Sequence, residues 1–229
     1  MSDDAKKPIS KKTPTPPVDN AQKPPTEEVK KPNPAELFKT TVENKIQSII
    51  TEFAEGKISR EQFQVIYARY SEQLAIANAA LMTGSELAQK NDNTSTIAVR
   101  TAYQGKATGL MIYYNRNGII LETLGELTVP ISVIGPMLNN FSFLMEEHKQ
   151  TERLVKKIGE KEWLLLAMGR YTTIVTQFKN EPSQLQIREL ERLHKHFEDA
   201  NATLFVNEKA NAQNMAYPFL EFIEKRIKG

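Results

Sequence analysis

Three histidines, no cysteine and only two aspartates beyond residue 33 limit the chemistry open to this chain. His194 and His196 are two positions apart. On a helix that separation turns the two rings about 160° away from each other, so they cannot share a metal ion. His148 stands alone in the sequence. His194 borders an apolar helical stripe and reads as a packing residue, because a lone imidazole lacks co-ligands. Asp92 and Asp199 leave a hard-cation site short of convergent oxygens. Glu is plentiful but scattered over helix surfaces, where it supplies solvation and i,i+4 pairing. The lack of Cys removes thiolate nucleophiles, disulfides and thiolate-bound zinc. No G-x-x-x-x-G-K-[ST], G-x-G-x-x-G or G-x-S-x-G stretch occurs. These residues predict a protein that is not an enzyme, with no catalytic residues, no cofactor and no metal.

Charge points the same way. Of 30 Lys and Arg and 28 Asp and Glu, seven and five fall in residues 1–33, leaving 23 of each sign in the body. A neutral body argues against a dedicated nucleic-acid interface. No apolar run approaches the ~20 residues that span a bilayer, and the N-terminus has no apolar signal region. The expected setting is cytoplasmic, without stable membrane insertion.

The elements that would position any site follow from pattern. Residues 1–33 hold seven of the twelve prolines, no aromatic residue and no Leu, and read as a disordered Pro/Lys-rich tail. Asn33-Pro34-Ala35-Glu36 has the chemistry of a helix start. Phe38, Val42, Ile46, Ile49, Ile50 and Phe53 then share a helical face, and Gly56 ends it. A second helix starts at Ser59, with Phe63, Tyr67, Tyr70, Leu74, Ala77 and Leu81 at heptad spacing. Residues 34–82 are read as a helical hairpin; a short coiled coil is the other reading of the same stripe. Residues 83–95 form a polar linker, long enough to suggest that the hairpin is a unit of its own. Residues 96–107 fit a strand or a helical turn equally well.

From Thr108 the order is clearer. Gly109 to Tyr114 and Ile119 to Leu121 are apolar runs joined through Asn117-Gly118, a hairpin turn signal. A helix starts near Ile131 or Pro136, with Met137, Leu138, Phe141, Leu144 and Met145 on one face and Phe143 opposite. Three strands follow, Arg153 to Ile158, Trp163 to Met168 and Tyr171 to Phe178. Pro182-Ser183 opens a helix whose face is Ile187, Leu190, Leu193 and Phe197. A short last helix is expected near Pro218 to Ile227, its basic end Lys225-Arg226-Ile227-Lys228 reading as a solvated helix terminus.

The order of elements, the hairpin YYNRNGIIL, the meander ERLVKKIGEKEWLLLAMGRYTTIVTQF and the closing helix EPSQLQIRELERLHKHF together resemble a roadblock/longin-like domain over about 95 residues of the chain. The resemblance implies an α+β fold, a five-stranded antiparallel sheet flanked by helices, in residues 96–229. It implies a non-enzymatic interaction module, homo- or hetero-dimeric, that regulates or scaffolds a protein partner such as a small GTPase. It carries no catalytic residues over to this chain. The helical hairpin, the segment 96–107 and the extension after Ala200 are additions to the simplest family pattern. The alternative is a PAS/GAF-like sensory domain, which would enclose a small ligand in an apolar cavity of several hundred Å³ and signal through the flanking helices. Phe143, on the outward side of its helix, is the expected protein-interface residue.

Overall fold

The computed structural model describes residues 33–83, 96–148 and 153–217, without the side chains of Thr96 and residues 144–148. Nearly all of the expected tail, the body of the 83–95 linker and the expected last helix fall outside the described residues.

Helix α1 runs Pro34–Ala54 and starts as its sequence dictates: Asn33 Oδ1 accepts from the Ala35 N–H at 3.0 Å. Gly56, at φ +74°, ends it. Helix α2, Arg60–Thr83, opens on a reciprocal cap in which Gln62 N donates to Ser59 Oγ and Ser59 N donates to Gln62 Oε1. The two helices close a core of Val42, Ile49, Ile58, Ile66 and Tyr70. The heptad stripe of α2 is only partly that core. Tyr70 and Ala77 are buried, Phe63, Leu74 and Leu81 are half-buried, and Tyr67 is 42% exposed. Ile66 and Gln62 take the buried places instead, because helix α3 (Thr96–Ala102) packs Val99 into the hairpin core and Gln62 Nε2 donates to the Arg100 carbonyl.

The ambiguous segment 96–107 is therefore helix first, then strand. Strand β1 runs Lys106–Tyr114 and β2 runs Ile120–Gly125, ending four residues beyond the apolar signal that marked it. Gly118, at φ +69°, turns the chain between them. Helix α4 spans Ile131–His148, with Pro136 inside it. Strands β3 (Arg153–Lys157), β4 (Glu162–Met168) and β5 (Thr172–Lys179) form the meander, and α5 (Gln184–Val206) closes it. Every pairing is antiparallel and the strand order is β2-β1-β5-β4-β3. The fold is thus the expected α+β five-stranded antiparallel sheet with flanking helices. No described helix is long and apolar enough to cross a membrane.

Alternation along the strands divides the apolar residues between two cores. On one face Leu110, Ile112, Leu165, Ile174 and Phe178 meet Ile187, Leu190, Phe197 and Phe205 of α5. On the other, Met111, Tyr113, Leu164, Leu166 and Val175 meet Ile134 and Phe141 of α4. The centre of β5 is buried on both faces, as a middle strand between two helical layers must be.

The hairpin meets the sheet unit through polar groups. Arg100 grips Glu52 with two hydrogen bonds of 2.7 and 3.0 Å, and this contact holds its guanidinium above its ordinary pKa. The Leu185 N–H donates to the Gly56 carbonyl, and the Glu61 N–H donates to Glu181 Oε2. Each N-terminus, that of α5 and that of α2, thereby has a free N–H satisfied by the other unit. Gly56 is needed for a second reason: a Cβ there would lie 2.8 Å from Gln184 Cβ.

Candidate functional site

Three places could carry function. The first is the group with the most chemical appearance, Thr172, His194 and Glu198. Its parts come from the start of β5 and from one face of α5, where positions 194 and 198 are one turn apart. Glu198 Oε1 accepts from the Tyr171 N–H at 2.8 Å, the Thr172 N–H at 2.7 Å and the Thr172 hydroxyl at 2.8 Å; Oε2 accepts from the Arg170 N–H at 2.8 Å. The Thr172 hydroxyl spends its one proton on Glu198, so across its 2.7 Å contact with His194 it accepts from Nε2–H. Burial pushes the imidazole down to about 4, against the pull of the Glu198 charge, and it is neutral near pH 7. Thr172, His194 and Glu198 are all buried. What the arrangement does is clasp the β4–β5 turn to α5. Gly169 is part of the clasp, because a Cβ there would stand 2.4 Å from Glu198 Oε1.

The sequence places His194 beside the apolar face, and it is indeed buried there. The carboxylate partner was not legible, because nothing in a helical Glu reveals that a turn 27 residues earlier needs an acceptor. His196 is exposed on the far side of α5. Among the described residues no group of three His, Cys, Asp or Glu side chains could hold a metal ion.

The second place is a cleft of about 340 Å³ where the hairpin, α3 and the start of α5 meet. Ile58, Ile97 and Leu185 form part of its wall, beside the polar groups of Glu52, Arg100, Gln62, Ser183 and Gln186. Each is already engaged: Arg100 with Glu52, Gln62 with Ser59 and Arg100, Gln186 with Ser183 and the Gly105 carbonyl at 2.7 Å. A ligand would have to displace these bonds, so the cleft reads as the seam that joins hairpin to sheet.

The third place is the outer side of α4. Ile134 and Phe141 are fully buried, with Met137 and Leu138 half-buried beside them. The opposite side presents Val133, Pro136, Asn139, Asn140 and Phe143 to solvent, with Phe143 64% exposed. No charged residue occurs from Ile131 through Met145. A solvent-facing helix of this length ordinarily carries charges on its outer side, and an uncharged outer face with a protruding aromatic ring has the composition of an interface core. No family model and no curated protein matches the chain significantly.

Proposed function

We propose that this protein is a non-enzymatic interaction module of the roadblock/longin-like kind, which pairs as a homo- or hetero-dimer and regulates or scaffolds a cytoplasmic protein partner such as a small GTPase. The observation that carries the reading is the outer face of α4, uncharged from Ile131 through Met145, with Phe143 exposed near the end of that stretch. The order of elements, two strands, a helix, three strands and a helix, supports it. The sensory-domain alternative calls for an apolar ligand cavity within the sheet unit; the cleft described above, walled by Ile58, Ile97 and Leu185 as well as by paired polar groups, lies outside the sheet cores.

Sedimentation of the intact chain beside Phe143→Glu tests the proposal. The expected result is a dimer that becomes a monomer with an unchanged melting profile. Capture from native lysate with the two proteins as bait tests the partner: proteins held by the natural chain should be lost from the variant. Identical species and identical captured proteins would overturn the reading.

A further inference from the structure

Helix α2 carries two apolar stripes, and its own hairpin buries one of them. Ile66 and Tyr70 pack with Val42 and Ile49 of α1. The heptad position Tyr67 follows Ile66 and so points 100° away from it, 42% exposed, with Phe63 half-buried one turn before. Helix α1 repeats the arrangement: Ile50 follows the buried Ile49, and Ile50 and Phe53 are each 40% exposed. The two open stripes join. The Phe63 ring stacks on Phe53 at 4.7 Å and on Tyr67 at 5.5 Å, which places all three on one side of the hairpin. The other side is taken, since Glu52 and Gln62 there meet Arg100 of α3. Three side chains of this size, each two-fifths exposed, leave roughly 250 Å² of apolar surface open as one patch, close to the limit that monomers ordinarily keep to. The patch is also uncharged. Residues 46–54 and 62–71 include two charged side chains, Glu52, turned to α3, and Arg69, set 200° round the helix from Tyr67. Arg60, one turn before Phe63, and Glu43, one turn before Ile46, bound the patch at its two ends as a polar rim.

We infer that this side of the hairpin is a self-association surface, covered in solution by the same side of a second copy. Width is the first argument. The face is two helices across, ~20 Å, and a single partner helix would cover ~10 Å and leave one stripe in water. A second hairpin covers both stripes and makes a four-helix layer, with apolar positions of all four helices at its centre. Charge is the second. Two identical faces set every charge on the two-fold axis against its like, and this patch has none to repel. A partner of strong charge finds nothing on it to be selected by. Area sets the strength. Helix α1 has 21 residues and spans ~30 Å, so the whole side measures roughly 600 Å² per copy, short of the ~800 Å² of a standard interface. The pairing is therefore weak, with a dissociation constant of tens of micromolar. It shares no residue with the outer face of α4 and does not depend on the function proposed for that face.

Sedimentation equilibrium on the intact chain carrying Phe143→Glu tests the inference, because that substitution takes α4 out of the measurement. From about 10 to 300 µM this chain should pass from monomer to dimer. Adding Tyr67→Glu or Ile50→Glu should raise the dissociation constant at least about tenfold, since each sets a charge against its like in the paired face. Ile76 is the control: it is 47% exposed and lies nine residues from Tyr67, half a turn round the same helix. Ile76→Glu should leave the constant within about twofold. A chain still monomeric at 300 µM, an association untouched by Tyr67→Glu and Ile50→Glu, or one that Ile76→Glu weakens as much as they do would each overturn the inference. So would a clear fall in the melting temperature of the dilute monomer on Tyr67→Glu, because the face would then be covered by its own chain.

Discussion

Helices α4 and α5 lie on opposite faces of one sheet and are finished in opposite ways. Helix α5 has a complete capping box, Ser183 with Gln186, and an outer side of Arg188, Arg192, Lys195, His196 and Asp199. Its inner side carries polar pins as well as apolar packing: Glu198 holds the β4–β5 turn and Asn201 holds the chain at Ala216. Helix α4 has a proline inside it, apolar packing alone on its described inner side and no charge on its outer side through Met145. The first is a helix built to stay where it is and face water. The second leaves an uncharged face with an exposed aromatic ring open to solvent. Hydrophobic packing is non-directional, so it leaves α4 some freedom to shift, whereas α5 is fixed in register by directional bonds.

The largest way to break this contrast is at Glu198. Glu198→Ala strips three backbone N–H groups and the Thr172 hydroxyl of their acceptor, and should cost about 3–5 kcal/mol in urea unfolding. A loss under about 1 kcal/mol would show that water replaces the clasp and that α5 is no better pinned than α4.

Acid should act on the same face. The folded-state pKa of His194, about 4, lies below the ordinary value of 6.5. Between those values the unfolded chain takes up a proton that the folded chain refuses. The contribution is fully present above pH 6.5, falls as pH drops to about 4 and is then exhausted, at a total of roughly 3 kcal/mol. Denaturant titrations at pH 7 and pH 4 on the natural chain and on His194→Gln measure it. The pH-dependent loss should be smaller in the variant by that amount, and equal slopes would place the acid sensitivity elsewhere.

Removal of the hairpin should have a smaller effect. Among the described residues outside 34–83, the hairpin core draws on Val99; the rest of the joint is hydrogen bonds, with Ile58, Ile97 and Leu185 around the cleft. A fragment of residues 96–229 should remain soluble and melt cooperatively, weakened by about 1–3 kcal/mol from an uncovered Val99 and lost caps. An insoluble or molten fragment would show that the sheet unit needs the hairpin to fold.

The smallest effect sharpens the contrast most. Phe143→Glu should change the stability of the dissociated chain by no more than about 0.5 kcal/mol, since the ring is exposed. A loss above about 1 kcal/mol, seen in thermal melts at low protein concentration, would mean that Phe143 packs within its own chain.

Much of the fold was legible because its causes are local. Asn33 before Pro34, Ser59 with Gln62, Ser183 with Gln186 and Gly118 in its turn act within four residues of themselves, and alternation in β1 and β5 reflects the pleat. The outward aim of Phe143 follows from helical spacing for the same reason. What the sequence could not give was any pairing between distant residues. Segment 96–102 has no decided preference, and it is helical because Val99 enters the hairpin core while Arg100 meets Glu52 and Gln62. The heptad stripe of α2 could not say which side a third element would cover, so Ile66 was hidden behind Phe63 and Tyr67. Glu198 reads as one more solvated carboxylate until the β4–β5 turn is brought against it. By itself the sequence determined the elements, their order and their amphipathic faces, since these depend on neighbours three or four residues apart or on the two-residue pleat. The tertiary structure decided which polar groups would be buried together and which apolar faces would stay uncovered, since those depend on contacts that only folding creates.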